Sequence, residues 1–239
     1  MVVGHWYLGD CEMTRVRCCV FDFDGTISLL RGCWRSVMYR YMVGCGADGG
    51  DVERYIVESA GMATLDQMGW LVGVVGGDAR VHRDMYVELM REEVHELLVG
   101  GGGDVGRWLV PGVVRLLDGM VGGGIEMWVA SGTEHVDLLN EVKLLGLAHY
   151  FDGIEGARDG SCVKDDVVSG VLDRYDCGEV VVIGDGVIEM GVSRRYGCLG
   201  IGLVDGGGDA LRLLGAGANV LVKDFEDGKV RRWLLGLTD

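Results

Sequence analysis

Three short apolar runs stand out along the chain, each broken at once by polar residues. Val16 to Phe21 ends in Asp22, Ile125 to Ala130 ends in Ser131-Gly132-Thr133, and Val180 to Ile183 ends in Gly184-Asp185-Gly186. Such runs predict buried strands of a parallel sheet. Two more, Cys198 to Val204 and Asn219 to Val222, bring the predicted sheet to five strands. Between them the apolar spacing changes to that of helices, with stripes at Val113, Leu116 and Leu117, at Val136, Leu139, Val142 and Leu145, and at Val167, Val168, Val171 and Leu172. Strands alternating with helices predict a doubly wound, Rossmann-like α/β fold. Open sheets of this kind place ligands outside the carboxyl ends of their strands, so three strand ends are expected to converge on one site.

The stretch from Arg31 to Trp108 breaks this alternation, because it carries helical stripes such as Met85, Leu89 and Leu98 but no strand. It predicts an all-helical insertion, giving an α/β core from 1–30 and 109–239 and a helical cap from 31–108. The run Gly100 to Gly103, followed by Pro111 at the start of the next helix, is the candidate linker.

Composition sharpens this picture. The 239 residues are 49% hydrophobic and 25% charged, enough apolar material for a folded core throughout. A net charge of −15 repels nucleic acid and anionic membranes, so neither is an expected partner. No basic n-region with a following apolar stretch opens the chain and no segment approaches 18 apolar residues. A cytoplasmic location is expected. Eight cysteines without C-x-x-C spacing suggest neither a zinc site nor a disulfide framework. The 43 glycines make any single glycine weak evidence of a special backbone.

The polar residues at the strand ends carry the candidate chemistry. Asp22 and Asp24, two apart past a strand end, can aim at one point, one to attack phosphorus and one to hand a proton to a leaving oxygen. The segment Ser131-Gly132-Thr133, read as opening a helix at Glu134, offers hydroxyls and N–H groups to phosphate oxygens, although such residues also serve simply as caps. Lys164 also opens a helix, a poor place for a cation unless an anion lies beside it. Asp185 adds a carboxylate suited to a hard cation such as magnesium.

The ordered set Asp22-x-Asp24-Gly25-Thr26, Ser131, Lys164 and Gly184-Asp185-x-x-x-Glu189 resembles the four motifs of the haloacid dehalogenase superfamily. The likeness runs from about residue 16 to residue 235. It implies that Asp22 is the nucleophile, forming an aspartyl phosphate, and that Asp24 is the general acid and then base. Ser131 would hydrogen-bond the phosphoryl group, Lys164 would neutralise it and steady Asp22, and Mg2+ would bind Asp22, Asp185 and Asp24, the last through its backbone carbonyl. Glu189 replaces the more usual aspartate and would act behind these groups. The resemblance also places a cap where the insertion lies, with Thr26, Gly132, Arg31, Trp34, Thr64 and Gln67 as candidate substrate contacts, and Arg35 and Arg83 beside them.

The implied activity is a phosphoric monoester hydrolase acting on a small phosphorylated metabolite, a sugar phosphate by default. A phosphomutase of the β-phosphoglucomutase type is the alternative, and a non-catalytic phosphometabolite-binding protein a third reading. Asp24 speaks against dehalogenation, and the absence of lysine from the insertion against phosphonate hydrolysis. The isolated histidines His82, His95, His135 and His149 lack ligand spacing.

Overall fold

The computed structural model describes residues 15–30, 32–59, 62–100, 105–158, 163–204 and 207–236. The chain runs through β1 (Cys18–Phe21), α1 (Trp34–Gly44), α2 (Gly49–Glu58), α3 (Thr64–Val75), α4 (Ala79–Gly100), α5 (Val113–Gly123), β2 (Glu126–Glu134), α6 (His135–Leu144), β3 (Gly153–Ala157), α7 (Val163–Leu172), β4 (Val180–Gly184), α8 (Val187–Tyr196), β5 (Leu199–Leu203), α9 (Gly207–Ala216), β6 (Val220–Val222) and α10 (Gly228–Leu234). The strands form one parallel sheet in the order β3-β2-β1-β4-β5-β6.

Because side chains alternate across a strand, the sheet feeds two apolar layers. Phe21, Val129, Ile183 and Ile201 pack with Leu116 and Leu117 of α5 and Leu138 and Val142 of α6. Val20, Ala130 and Val182 face the other way onto Val167, Val168 and Val171 of α7. The expected doubly wound core is therefore present, with one strand more than the five predicted.

The added strand, β3, has the sequence Gly-Ile-Glu-Gly-Ala, with no apolar run to announce it. Its glycines have a packing reason: a Cβ at Gly153 would collide with the Trp128 ring on the neighbouring strand. This strand also corrects the reading of Ser131 to Thr133. With β3 alongside, β2 stays extended to Glu134, its register shifting between Ser131 and Glu134, and α6 begins only at His135. Ser131 thus sits on an irregular strand end instead of a helix cap.

Between β1 and α5 the described residues form the four helices α1 to α4 and no strand. They close on a separate apolar cluster that includes Val37, Met38, Met42, Val52, Ile56, Met68, Leu71, Tyr86 and Met90. Two helical stripes depart from expectation, that of α4 in register and that of α6 at its first two positions, while Val142 and Leu145 are buried as expected. In α4 Met85 and Leu89 are exposed, while Tyr86, Val87, Met90 and Val94 are buried. In α6 Val136 and Leu139 are 63% and 41% exposed, whereas Leu138 is 0% exposed. The chain enters and leaves the helical segment side by side: Leu29 N donates to Trp108 O at 2.7 Å, and Val110 N to Ile27 O at 3.0 Å. Of the candidate linker, Gly100 closes α4, and residues 101–103 lie outside the described residues. No helix among the described residues is long and apolar enough to cross a membrane.

Candidate active site

Sheet register brings the chemistry together. Phe21 lies opposite both Val129 and Ile183, so the residues that follow these positions emerge at one edge of the sheet. Asp22 extends the ladder, its N–H donating to Ile183 O at 2.8 Å. The chain then turns sharply, with Thr26, Ile27 and Ser28 all donating backbone N–H groups to Phe23 O. Gly25 makes the turn with φ +82°, and a Cβ there would overlap the Asp185 carboxylate. Only glycine relieves both constraints, one conformational and one steric.

Lys164 is the centre of the site. Its Nζ lies 3.0 Å from Asp22 Oδ1 and is also ion-paired with Glu189. All three residues are buried, at 5% exposure for Lys164, 6% for Asp22 and 1% for Glu189. A cation in the first turn of α7 opposes the helix dipole, and two anions beside it offset that penalty. Glu189 is in the first turn of α8, where a negative charge suits the helix end. Buried charges of this kind are tolerated only when paired, so Glu189 and Asp22 hold the lysine in place.

Asp24 points elsewhere: its Oδ2 accepts a hydrogen bond of 2.7 Å from Thr133 Oγ1. Ser131 Oγ accepts one from Thr133 N at 3.2 Å. Asp185 has its pKa raised to about 7, first by burial and then by the negative charge of Asp22, with Asp24 adding a smaller push. Lys164 and Arg35 act against that rise.

These groups line a small cavity of ≈ 70 Å3, bounded by Asp22, Asp24, Ser131, Gly132, Thr133, Lys164 and Asp185 from the sheet side. Trp34, Met62, Thr64, Gln67 and Tyr86 close it from the helical segment. The expected residues Trp34, Thr64, Gln67 and Gly132 are therefore at the cavity. Gln67 is anchored from behind, its Nε2 donating to Ser59 O at 3.0 Å. Thr26 is not at the cavity: it is fully buried beneath the turn, and its Oγ1 has no hydrogen-bond partner. Arg31 lies outside the described residues. Arg83 lines a different crevice, with Asp84 and Glu134 beside it.

Tyr86 and Met62 went unread in the sequence. Tyr86 was hidden by the one-residue error in the α4 stripe, and Met62 carried no signal. Thr133 was legible only as part of the Ser-Gly-Thr run. Among the described residues no group of three or more His, Cys, Asp or Glu side chains could hold a metal ion.

No family model matches the sequence, and no curated protein matches it. Solved structures do. A haloacid dehalogenase-like family hydrolase from Streptococcus pneumoniae superposes with a TM-score of 0.62 at 18% identity, over 87% of this chain and 94% of that one. A predicted phosphatase from Clostridium acetobutylicum gives 0.66 at 20% identity, over 94% and 100%. A β-phosphoglucomutase from Clostridium difficile gives 0.69 at 14% identity, over 92% and 97%. The architecture of the chain, a six-stranded parallel sheet with helices on both faces and a helical segment inserted after the first strand, is the haloacid dehalogenase-like fold.

Proposed function

We propose that the chain is a magnesium-dependent phosphohydrolase of the haloacid dehalogenase superfamily that removes phosphate from a small phosphorylated metabolite. The observation that carries this reading is the buried Asp22–Lys164–Glu189 array at the floor of a cavity also lined by Asp24 and Ser131. A carboxylate held at a strand end beside a fixed ammonium suits attack on an anionic phosphoryl group.

In this reading an Asp22 carboxylate oxygen forms a bond to phosphorus as the ester P–O bond breaks, and Asp24, as the acid, gives its proton to the departing oxygen. Asp24 then takes a proton from water, whose oxygen attacks phosphorus and displaces Asp22 as inorganic phosphate forms. Thr133 orients the Asp24 carboxyl between these steps. Lys164 balances the charge of Asp22 while the phosphate is bound. Ser131 and the backbone of Gly132 contact the phosphoryl oxygens.

Magnesium fits the donor set. Asp22 and Asp185 are hard oxygen ligands, and the pKa of Asp185, raised first by burial and then by the charge of Asp22, marks negative charge at close quarters that a cation would relieve. Bound there with the Asp24 carbonyl, it supplies charge neutralisation for an incoming phosphate. Helices within 31–108 serve as a cap over the core of 1–30 and 109–239, excluding water through Trp34, Thr64 and Gln67.

A mutase reading shares the fold, as the β-phosphoglucomutase likeness illustrates. The two separate on stoichiometry. Incubated with a panel of phosphate esters and magnesium, the protein should release inorganic phosphate equal to substrate consumed, lose that activity in chelator, and need no bisphosphate activator. Isomerised product without free phosphate, formed only after bisphosphate priming, would overturn the hydrolase reading in favour of the mutase.

A further inference from the structure

The catalytic cavity is too small for a whole substrate. At ≈ 70 Å3 it is well below the roughly 300 Å3 at which small-molecule sites begin. A second cavity of ≈ 370 Å3 shares Trp34 and Asp185 with it. Sites for small molecules enclose roughly 300 to 1,000 Å3, so this neighbour is the one with room for a leaving group.

The second cavity lies at the carboxyl ends of β4, β5 and β6, where Asp185, Leu203 and Lys223 follow or end the strands. Its charge departs from that of the molecule. In a chain with a net charge of −15 and only four lysines, Arg35, Arg212 and Lys223 all line this one space, against Asp185 and Asp224. Among the described residues neither Arg35 nor Lys223 forms a direct ion pair; the Arg35 charge partly offsets that of Asp185, and Lys223 faces no carboxylate within ion-pair distance. Arg35 rests over the Trp34 ring at 5.7 Å, on the wall common to both cavities. Arg212 is fixed by donating from Nη2 to Val57 O at 2.9 Å, which places its guanidinium between α9 and the end of α2. Val110, Pro111 and Leu203 provide apolar wall between the cations.

We propose that this cavity is a second anion subsite. Its ligand is a carboxylate or phosphate carried on the leaving group, and the preferred substrate is a phosphorylated metabolite with a second acidic group. Cations gathered beside an apolar wall favour an anion over a neutral polyol of the same size, because a neutral tail gains nothing from their charge. The subsite rests on the phosphohydrolase reading for its role but not for its existence.

Matched probes test it. Glycerol phosphate is compared with phosphoglycerate, and a hexose monophosphate with the corresponding hexose bisphosphate, the two pairs separating a carboxylate tail from a phosphate tail. The readout is the ratio of kcat/KM within a pair, so a general loss of activity cancels. We expect a ratio of about tenfold or more in favour of the doubly acidic member of at least one pair, the size of a single charge-assisted contact of roughly 1.5 kcal/mol. In Lys223→Met and Arg35→Gln, both exposed positions, that ratio should fall toward one, mainly through KM. A ratio near one in the parent protein, or one unchanged in both variants, would overturn the subsite while nitrophenyl phosphate turnover keeps the phosphohydrolase reading. If no phosphate ester is turned over, that reading fails, and calorimetry decides the subsite: phosphoglycerate binding the parent more tightly than Lys223→Met supports it, and equal or absent binding overturns it.

Discussion

The sheet edge and the helical segment meet at one cavity but hold their residues there by different means. At the sheet edge each functional group is fixed by charge or hydrogen bonding: Asp22 by Lys164, Lys164 by Glu189, Asp24 by Thr133. On the helical side the cavity is met by side chains placed mainly through packing. Trp34 is half-buried, Tyr86 belongs to the apolar cluster of α1 to α4, and Gln67 is anchored through its side-chain amide. The contrast teaches that the polar groups are pre-set in the core, whereas the helical segment supplies shape. Polar networks in a buried site have little freedom to re-form, while packed side chains can shift.

The largest effect is expected where the network is cut. Lys164→Met removes the only cation between two buried carboxylates, and breaking such an arrangement costs about 3 to 5 kcal/mol. We expect kcat to fall by three orders of magnitude or so, about 4 kcal/mol in barrier height, with a lower Tm. Glu189→Gln, which keeps volume but not charge, should produce a smaller share of the same loss and add little to Lys164→Met, because both act through one array. Trp34→Leu should instead change kcat/KM by roughly tenfold with Tm nearly unchanged, in keeping with a pocket contact. Equal effects at Lys164 and Trp34 would erase the distinction between the two regions.

A middle-sized effect concerns pH. The folded protein without metal holds the Asp185 proton up to about pH 7, against an ordinary value of 3.8. A carboxyl raised on folding stabilises the fold fully below its unfolded pKa, and the contribution is lost as pH rises through the folded one. Metal-free protein should therefore lose stability between about pH 4 and 7 relative to Asp185→Asn, and magnesium should restore it at the upper end. Because proton and cation compete, magnesium affinity measured by calorimetry should weaken as pH falls below 7. Affinity independent of pH would detach Asp185 from the cation.

The fold and the gathering of the candidate residues were largely legible because strands in a buried parallel sheet are written as apolar runs and their polar successors fall at one edge. Asp22, Ser131 and Asp185 each follow such a run directly. What was not legible has physical causes. Strand β3 carries two glycines where Trp128 covers Gly153 and the backbone of Thr133 and His135 crowds Gly156, so no apolar run marks it. The stripe of α4 slipped by one position and that of α6 held at Val142 and Leu145 but not at Val136 and Leu139, because both helices carry exposed apolar residues, such as Met85 and Val136, that mimic a buried face. The partner of Glu189 depended on the relative placement of α7 and α8, which no local pattern encodes. Thr26, fully buried, was misread as a substrate contact because its neighbours are at the site.

The smallest effect tests how the helical segment is held. Arg91 on α4 donates to Asp137 on α6 from Nε at 2.9 Å and Nη2 at 3.3 Å, tying the segment to the core away from the catalytic cavity. The arginine side chain is about half exposed, so the pair is worth under about 1 kcal/mol. Arg91→Ala should change kcat/KM only a few-fold and leave the charge array intact. A loss as great as that of Lys164→Met would mean that closure, and not the core network, governs activity.

The central claim is that Asp22 carries the phosphoryl group. Asp24→Asn, lacking the base for the water step, should accumulate a covalent intermediate after rapid acid quench with substrate and magnesium. Peptide mass spectrometry should place the phosphoryl group on Asp22, with none in Asp22→Asn. A phosphoryl group on another residue, or turnover by Asp22→Asn at the parent rate, would contradict the account.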